Sequence, residues 1–422
     1  MSRHAVYRAL VQLAMCLVLA STLPQTVWAG SRVKNHDDLK PVFSITDDAV
    51  WKLHPWGAWL VGFDISPDGR IFASEFDALE EGQQASVWVG EWDIATGKLI
   101  TERPIEGPTP VKDLMSDQHI LDLQFASGGQ KLLALTGTRI LALDAARLTA
   151  LYSIHPAKIQ TTSRYGVIIR QVSVSADGKL LAVVSSGAGY PWGTTDTRLL
   201  SIQTGEELAD WNFSQGDWPD VFSLSSDGNE MLVSHSQAGD RLPACVLLMD
   251  SRTGAVSKTF DSRFGGSQFD YYGYAEFIDN NQFLVTSIGR SHTALKVIDL
   301  HTGKVVQTFG YSKHDAQAWA VAASGAPLIA ALIFSWKWGI GSDLDAPLTR
   351  YVDWLGLFRL GEQEPLHVRR NVPLFQGGGP GALTLRSTMR ISRDGKVLAL
   401  GSGRTIWVYR LSLGQQAGRA KD

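Results

Sequence analysis

The side chains in this sequence best suited to hold a ligand are aromatic and charged residues that recur at matching places in a repeated pattern. Trp56, Tyr165, Trp218 and the pair Tyr271-Tyr272 each lead into an apolar run, whereas Tyr190-Pro191-Trp192 and Trp336-Lys337-Trp338 each separate two such runs. Asp196, Asp220, Asp270, Arg290, His292 and Lys337 are interleaved with them. Tryptophan, tyrosine and arginine dominate binding hot spots because they combine large contact area with directional polar groups. The chemistry this implies is recognition rather than bond-making. Trp192, Asp196, Trp218, Asp220, Tyr271, Tyr272, Arg290, His292, Trp336 and Trp338 are therefore the candidate ligand-binding residues. The bland alternative for any one of them is a side chain filling a gap between packed elements.

Catalytic and metal chemistry find no comparable pattern. The histidines at 36, 54, 119, 155, 235, 292, 301, 314 and 367 include no pair at the three- to five-residue spacing that places two ligands on one helix face. No catalytic residue and no metal ligand is assigned. Phe375–Gly381 is glycine-rich but lacks the Gly-Lys-Ser/Thr that cradles phosphate, so it reads as a connector. Beyond residue 29 the single cysteine is Cys245, inside the apolar run Cys245–Met249. It is expected to be a packed, inert thiol, and no internal disulfide can form.

The elements that must position these residues are short strands. Trp59–Ile65 is an apolar run closed by the turn Ser66-Pro67-Asp68-Gly69, followed by Ile71–Ser74, Val87–Trp92 and Asp93-Ile94-Ala95-Thr96-Gly97. The same order returns with turn glycines at 69, 129, 178 and 228 and with Asn281 in the next slot, 49 to 60 residues apart. Asp-Gly is a hairpin signal because both residues tolerate the positive φ that matches strand twist. The Thr-Gly pairs at 204–205, 253–254 and 302–303 mark a second reversal into a fourth strand. Units of four antiparallel strands cannot each bury two faces alone, and radial stacking solves that problem. A sixth unit, with Ser324-Gly325-Ala326 as its turn and a long insertion after Phe334, is degenerate. A seventh stops after three strands at Leu411.

The fold class expected is therefore all-β: a seven-bladed β-propeller of four-stranded antiparallel blades over residues 48–412. An N-terminal strand, placed at Ala49–Leu53, closes the last blade. Six blades with an appendage is the alternative. Residues 413–422 form a polar tail and 30–47 a leader. Residues 1–29 read as a signal peptide: Arg3 and Arg8, the apolar run Ala9–Ala20, then Val27-Trp28-Ala29 as a cleavage point. The protein is then periplasmic or secreted, without an integral span once the signal is removed. An uncleaved N-terminal anchor is the minority reading. Across the chain 39 Lys and Arg face 42 Asp and Glu, a net charge of −3 that shifts to −5 when the two arginines of the signal go. This mildly acidic balance gives no electrostatic footprint for nucleic acid.

Phe63–Gly69 with Trp92-Asp93, the serine-any-Asp-Gly turns of units three, four and seven, and Asp299–Lys304 resemble the WD40 and YVTN-type β-propeller repeats of bacteria. The Trp-Asp pair is whole only at Trp92-Asp93, and the Gly-His pair typical of WD40 units is absent, so the resemblance is to a divergent member. It implies a binding scaffold more often than an enzyme. Asp93–Lys98 and Asp299–Lys304 are also similar to turns of quinoprotein propellers, but the tryptophan that follows there is missing, and no cofactor is expected. The function expected is an exported, non-enzymatic binding or scaffold module for a protein or extended ligand. The alternative is a propeller enzyme, either a lactonase-like hydrolase or the propeller subunit of a redox enzyme.

Overall fold

The structure is a computed structural model that describes residues 39–46, 62–77, 84–105, 109–110, 120–136, 139–155, 167–187, 195–213, 219–235, 245–261, 271–288, 293–312, 316–335, 349–362, 365–376, 389–402 and 405–411. Among these described residues the chain forms seven antiparallel four-stranded blades, six of them from consecutive strands, and no α-helix. In the first blade the strands are Phe63–Ile65, Arg70–Asp77, Gln84–Asp93 and Leu99–Pro104, with a two-residue strand, Thr109–Pro110, added beside the third. The innermost strands of the next six blades are Ile120–Ala126, Val167–Val174, Pro219–Leu224, Tyr271–Phe277, Ala316–Ala322 and Met389–Ile391. The first inner strand touches both the second and the seventh, so the blades close into a ring. The sixth unit is a full blade, Ala316–Ala322, Leu328–Ser335, Thr349–Arg359 and Pro365–Gln376, which removes the six-bladed alternative.

The seventh blade takes its outermost strand from the N-terminal part of the chain. That strand is Pro41–Thr46, paired antiparallel with Thr405–Arg410 in a register that sets Phe43 opposite Val408 and Ile45 opposite Ile406. This corrects the leader assigned to residues 30–47. The strand expected at Ala49–Leu53 lies outside the described residues. Val42-Phe43-Ser44-Ile45 alternates outward and inward, with Val42 half exposed and Ile45 buried, as a strand covering one face of a core requires.

The cores lie between blades. Phe63, Ile71, Phe72 and Trp92 pack with Leu132, Leu143, Val397 and Val408 across the first, second and seventh blades. Cys245 is buried, as its apolar run predicts. The turns carry their own chemistry. Ser175, Ser225 and Ser392 donate to Asp177, Asp227 and Asp394 at 2.6, 2.8 and 2.7 Å, and each serine oxygen accepts an amide from the strand that follows. Burial raises the Asp177 and Asp394 carboxyls, but the serine hydroxyl and the amide and charge of the following lysine outweigh it. The Asn229 amide with Ser225 acts on Asp227, so all three lie below the usual aspartate range. Gly178 has φ +71°, and a Cβ there would sit 2.4 Å from the Ser127 amide nitrogen of the neighbouring blade, so only glycine fits.

Candidate functional site: a channel with unequal ends

All connections longer than five residues fall at one end of the ring, although that end also holds short ones such as 137–139 and 403–404. At one end the first-to-second and third-to-fourth connections, such as residues 66–69, 175–179, 251–255 and 300–304, are all four or five residues long. At the other end the second-to-third and blade-to-blade connections include residues 188–194, 236–244, 262–270, 336–348 and 377–388. The strand ends that bracket Trp192, Trp218, Tyr271, Arg290, His292, Trp336 and Trp338 all belong to this long-connection end. Trp192, Trp218, Arg290, His292, Trp336 and Trp338 themselves lie outside the described residues. Asp220, Tyr271 and Tyr272 are placed in the inner strands of the fourth and fifth blades by their backbone.

Asp196 is the one candidate whose side chain is described. It begins the third strand of the third blade beside Ser185. The side chain is buried, and burial pushes its carboxyl above the ordinary range, against the pull of Arg198. Arg198 Nε stands 3.7 Å from Asp196 Oδ2, beyond hydrogen-bond length, and among the described residues neither atom has a hydrogen-bond partner; nor has Ser185 Oγ. Orphaned polar atoms in a dry strand are costly.

At the short-turn end the channel opens into a cavity of about 300 Å³ to which all seven blades contribute. One position per blade, five residues before the turn glycine or its equivalent, holds Asp64, Gln124, Ser173, Ser223, Glu276, Val321 and Arg390, and all of these but Gln124 line the cavity. Several of these side chains fasten the next blade. Asp64 accepts the Phe125 amide at 2.6 Å, Ser173 the Leu224 amide at 3.0 Å and Ser223 the Phe277 amide at 3.3 Å. Arg390 of the seventh blade donates to Asp122 of the second at 2.6 Å and lies 3.5 Å from Asp64 of the first. Asp122 also accepts the Leu123 amide and Gln124 Nε2. Sequence reasoning missed this cluster. The signal available was the aligned position itself, which carries polar or charged side chains in six of seven units although it lies within a strand.

Burial raises the Asp64 carboxyl to about 6, outweighing Arg390 and the amides of Phe125 and Ile65, while Asp122 adds to the rise. Between pH 4 and 6 the folded protein therefore binds more protons here than the unfolded chain. Stability from this group is present below the unfolded pKa and is lost as pH rises through 6. Asp64→Asn is expected to flatten the fall in stability across that window, by up to about 3 kcal/mol at 1.36 kcal/mol per unit. Urea midpoints of both proteins from pH 4 to 7 measure this, and parallel profiles would contradict it.

No protein-family model matches the sequence, and none of the curated proteins matches it. Solved structures do match in fold. The chain is similar to one titled "Crystal Structure of Mitotic Checkpoint Complex" at 11% identity, covering 88% of this chain and 92% of that one with a TM-score of 0.51. Kuenenia stuttgartiensis hydrazine synthase aligns at 14% identity over 88% and 98% of the two chains, TM-score 0.52. An oligogalacturonate lyase in complex with manganese aligns at 12% identity over 89% and 92%, TM-score 0.55. At these identities the likeness concerns architecture alone. Together with the seven sheets, it makes this chain a seven-bladed β-propeller.

Proposed function

We propose that the protein is an exported binding module that engages a protein or an extended ligand at the long-connection end of its ring. One observation carries this reading: every connection longer than five residues between the described strands falls at one end of the ring, the end to which the sequence assigns the aromatic loops. Loops displayed by a rigid frame are where binding residues concentrate. The channel acids support a scaffold rather than chemistry, because Asp64 and Asp122 are engaged by backbone amides and Arg390. A propeller enzyme would need such groups open to a substrate. Export rests on the signal pattern of residues 1–29. No helix among the described residues is long and apolar enough to cross a membrane.

The test is the double variant Trp336→Ala/Trp338→Ala. It is expected to melt like the parent and to bind the partner captured from the exported fraction at least about 2 kcal/mol more weakly, the loss of a hot spot. A markedly lower melting temperature would make these tryptophans core. Unchanged capture by a stable variant would move the binding site elsewhere on the ring.

A further inference from the structure

The short-turn mouth of the channel carries a charge asymmetry that the scaffold reading does not use. Two tiers of residues line it, the second three residues after the first in every blade but the second. In both tiers the seventh blade supplies arginine and the fifth supplies an acid: Arg390 against Glu276, then Arg393 against Asp279. The sixth blade, between them, offers Val321 and Ser324 at the same positions, so uncharged side chains separate the opposite charges. Arg390 is already committed to Asp122 and Asp64.

The outer tier is different. Arg393 and Asp279 are exposed at the mouth, and no ion pair among the described residues joins them. Both are nevertheless held in place by their turns. The Arg393 carbonyl accepts the Gly325 amide at 3.0 Å, and a Cβ at Gly325 would come within 2.8 Å of Arg393 Cγ, so this stem is packed on the sixth blade. Asp279 Oδ1 accepts the amides of Asn281 and Gln282 at 2.7 and 2.8 Å, which leaves its second oxygen for another donor. A guanidinium fork on one wall and a fixed carboxylate on another suit a ligand bearing both charges. A cavity of about 300 Å³ sits at the small end of the range typical of ligand pockets.

We propose that the short-turn mouth of the channel binds a small zwitterion of amino-acid size, its carboxylate on Arg393 and its ammonium group on Asp279 beside Glu276. This site lies at the opposite end of the ring from the partner surface and does not depend on it. Binding here requires no chemistry of the ligand, only that both of its charges be present.

The experiment is calorimetric titration of the full chain with free α-amino acids and with unbranched ω-amino acids of increasing length. Each is compared with its amide, which lacks the anion, and its N-acetyl derivative, which lacks the cation. At least one zwitterion is expected to bind, and either derivative to bind about tenfold more weakly or worse, the loss of one charge-assisted hydrogen bond. Arg393→Gln is expected to abolish the preference for acid over amide. Asp279→Asn, which keeps the acceptor for the two turn amides, is expected to abolish the preference for amine over N-acetyl. Melting temperatures within a few degrees of the parent establish that both variants are folded, and Arg393→Lys is expected to restore part of the acid preference. No heat from any zwitterion at millimolar concentration overturns the proposal. So does equal binding of acid and amide by the parent, or binding that neither variant changes. Binding of inorganic phosphate as tightly as the best zwitterion would make the mouth a plain anion site and would also overturn it.

Discussion

Arg390→Met is expected to destabilise the folded ring by about 3–5 kcal/mol, the range for removing one partner of a buried ion pair. Arg390 comes from the seventh blade and neutralises Asp122 of the second, while standing close to Asp64 of the first. Its loss leaves two carboxylates near one another with little water to solvate them. Against a typical total stability of about 5–15 kcal/mol, that is a large fraction. The identity of the defect can be checked by adding Asp122→Asn, which removes one orphaned charge and still accepts the Leu123 amide. The double variant is expected to recover roughly 1–2 kcal/mol. Denaturant unfolding monitored by tryptophan fluorescence measures both. A single variant within about 1 kcal/mol of the parent would show that the arginine is not a keystone of the channel.

Removing the chain through Thr46 is the second large effect. The strand Pro41–Thr46 pairs with Thr405–Arg410 and covers a core that includes Leu39, Ile45, Val408 and Tyr409. Burial of each large apolar side chain is worth about 1.5–3 kcal/mol, so losing Leu39 and Ile45 alone removes several. The truncation also strips the outer strand from the last blade and exposes the edge of Thr405–Arg410, a template for pairing with another chain. The truncated protein is expected to melt at a lower temperature and to self-associate in sedimentation velocity. A peptide covering residues 39–46 is expected to reverse both when added in excess. A truncated protein that stays monomeric with the parent's melting temperature would contradict the role assigned to this strand.

The parts of the fold legible in the sequence are those encoded locally. Ser175-Ala176-Asp177-Gly178 announces its hairpin because the serine, the aspartate and the glycine each perform a separate task within five residues of chain. The burial of Cys245 was legible for the same reason, since it sits in an unbroken apolar run. The closing strand was harder to place: Val42-Phe43-Ser44-Ile45 has the right alternation, but it follows a charged stretch and begins at a proline, which masked it as a leader. The channel cluster was not legible at all. Asp64, Asp122 and Arg390 are brought together only by closure of the ring, with Asp122 and Arg390 separated by 268 positions, and no local spacing marks such a contact. The candidate binding residues were assigned to one end of the ring by strand order alone, and Trp192, Trp218, Arg290, His292, Trp336 and Trp338 lie outside the described residues.

The measurement that bears most directly on the binding-module reading is hydrogen–deuterium exchange of the full chain with and without its captured partner. Protection on binding is predicted for peptides spanning 188–194, 214–218, 262–270 and 336–348, with the short turns at 66–69, 175–179, 225–229 and 392–396 exchanging as in the free protein. Protection centred on those short turns, with the long connections unchanged, would contradict the account.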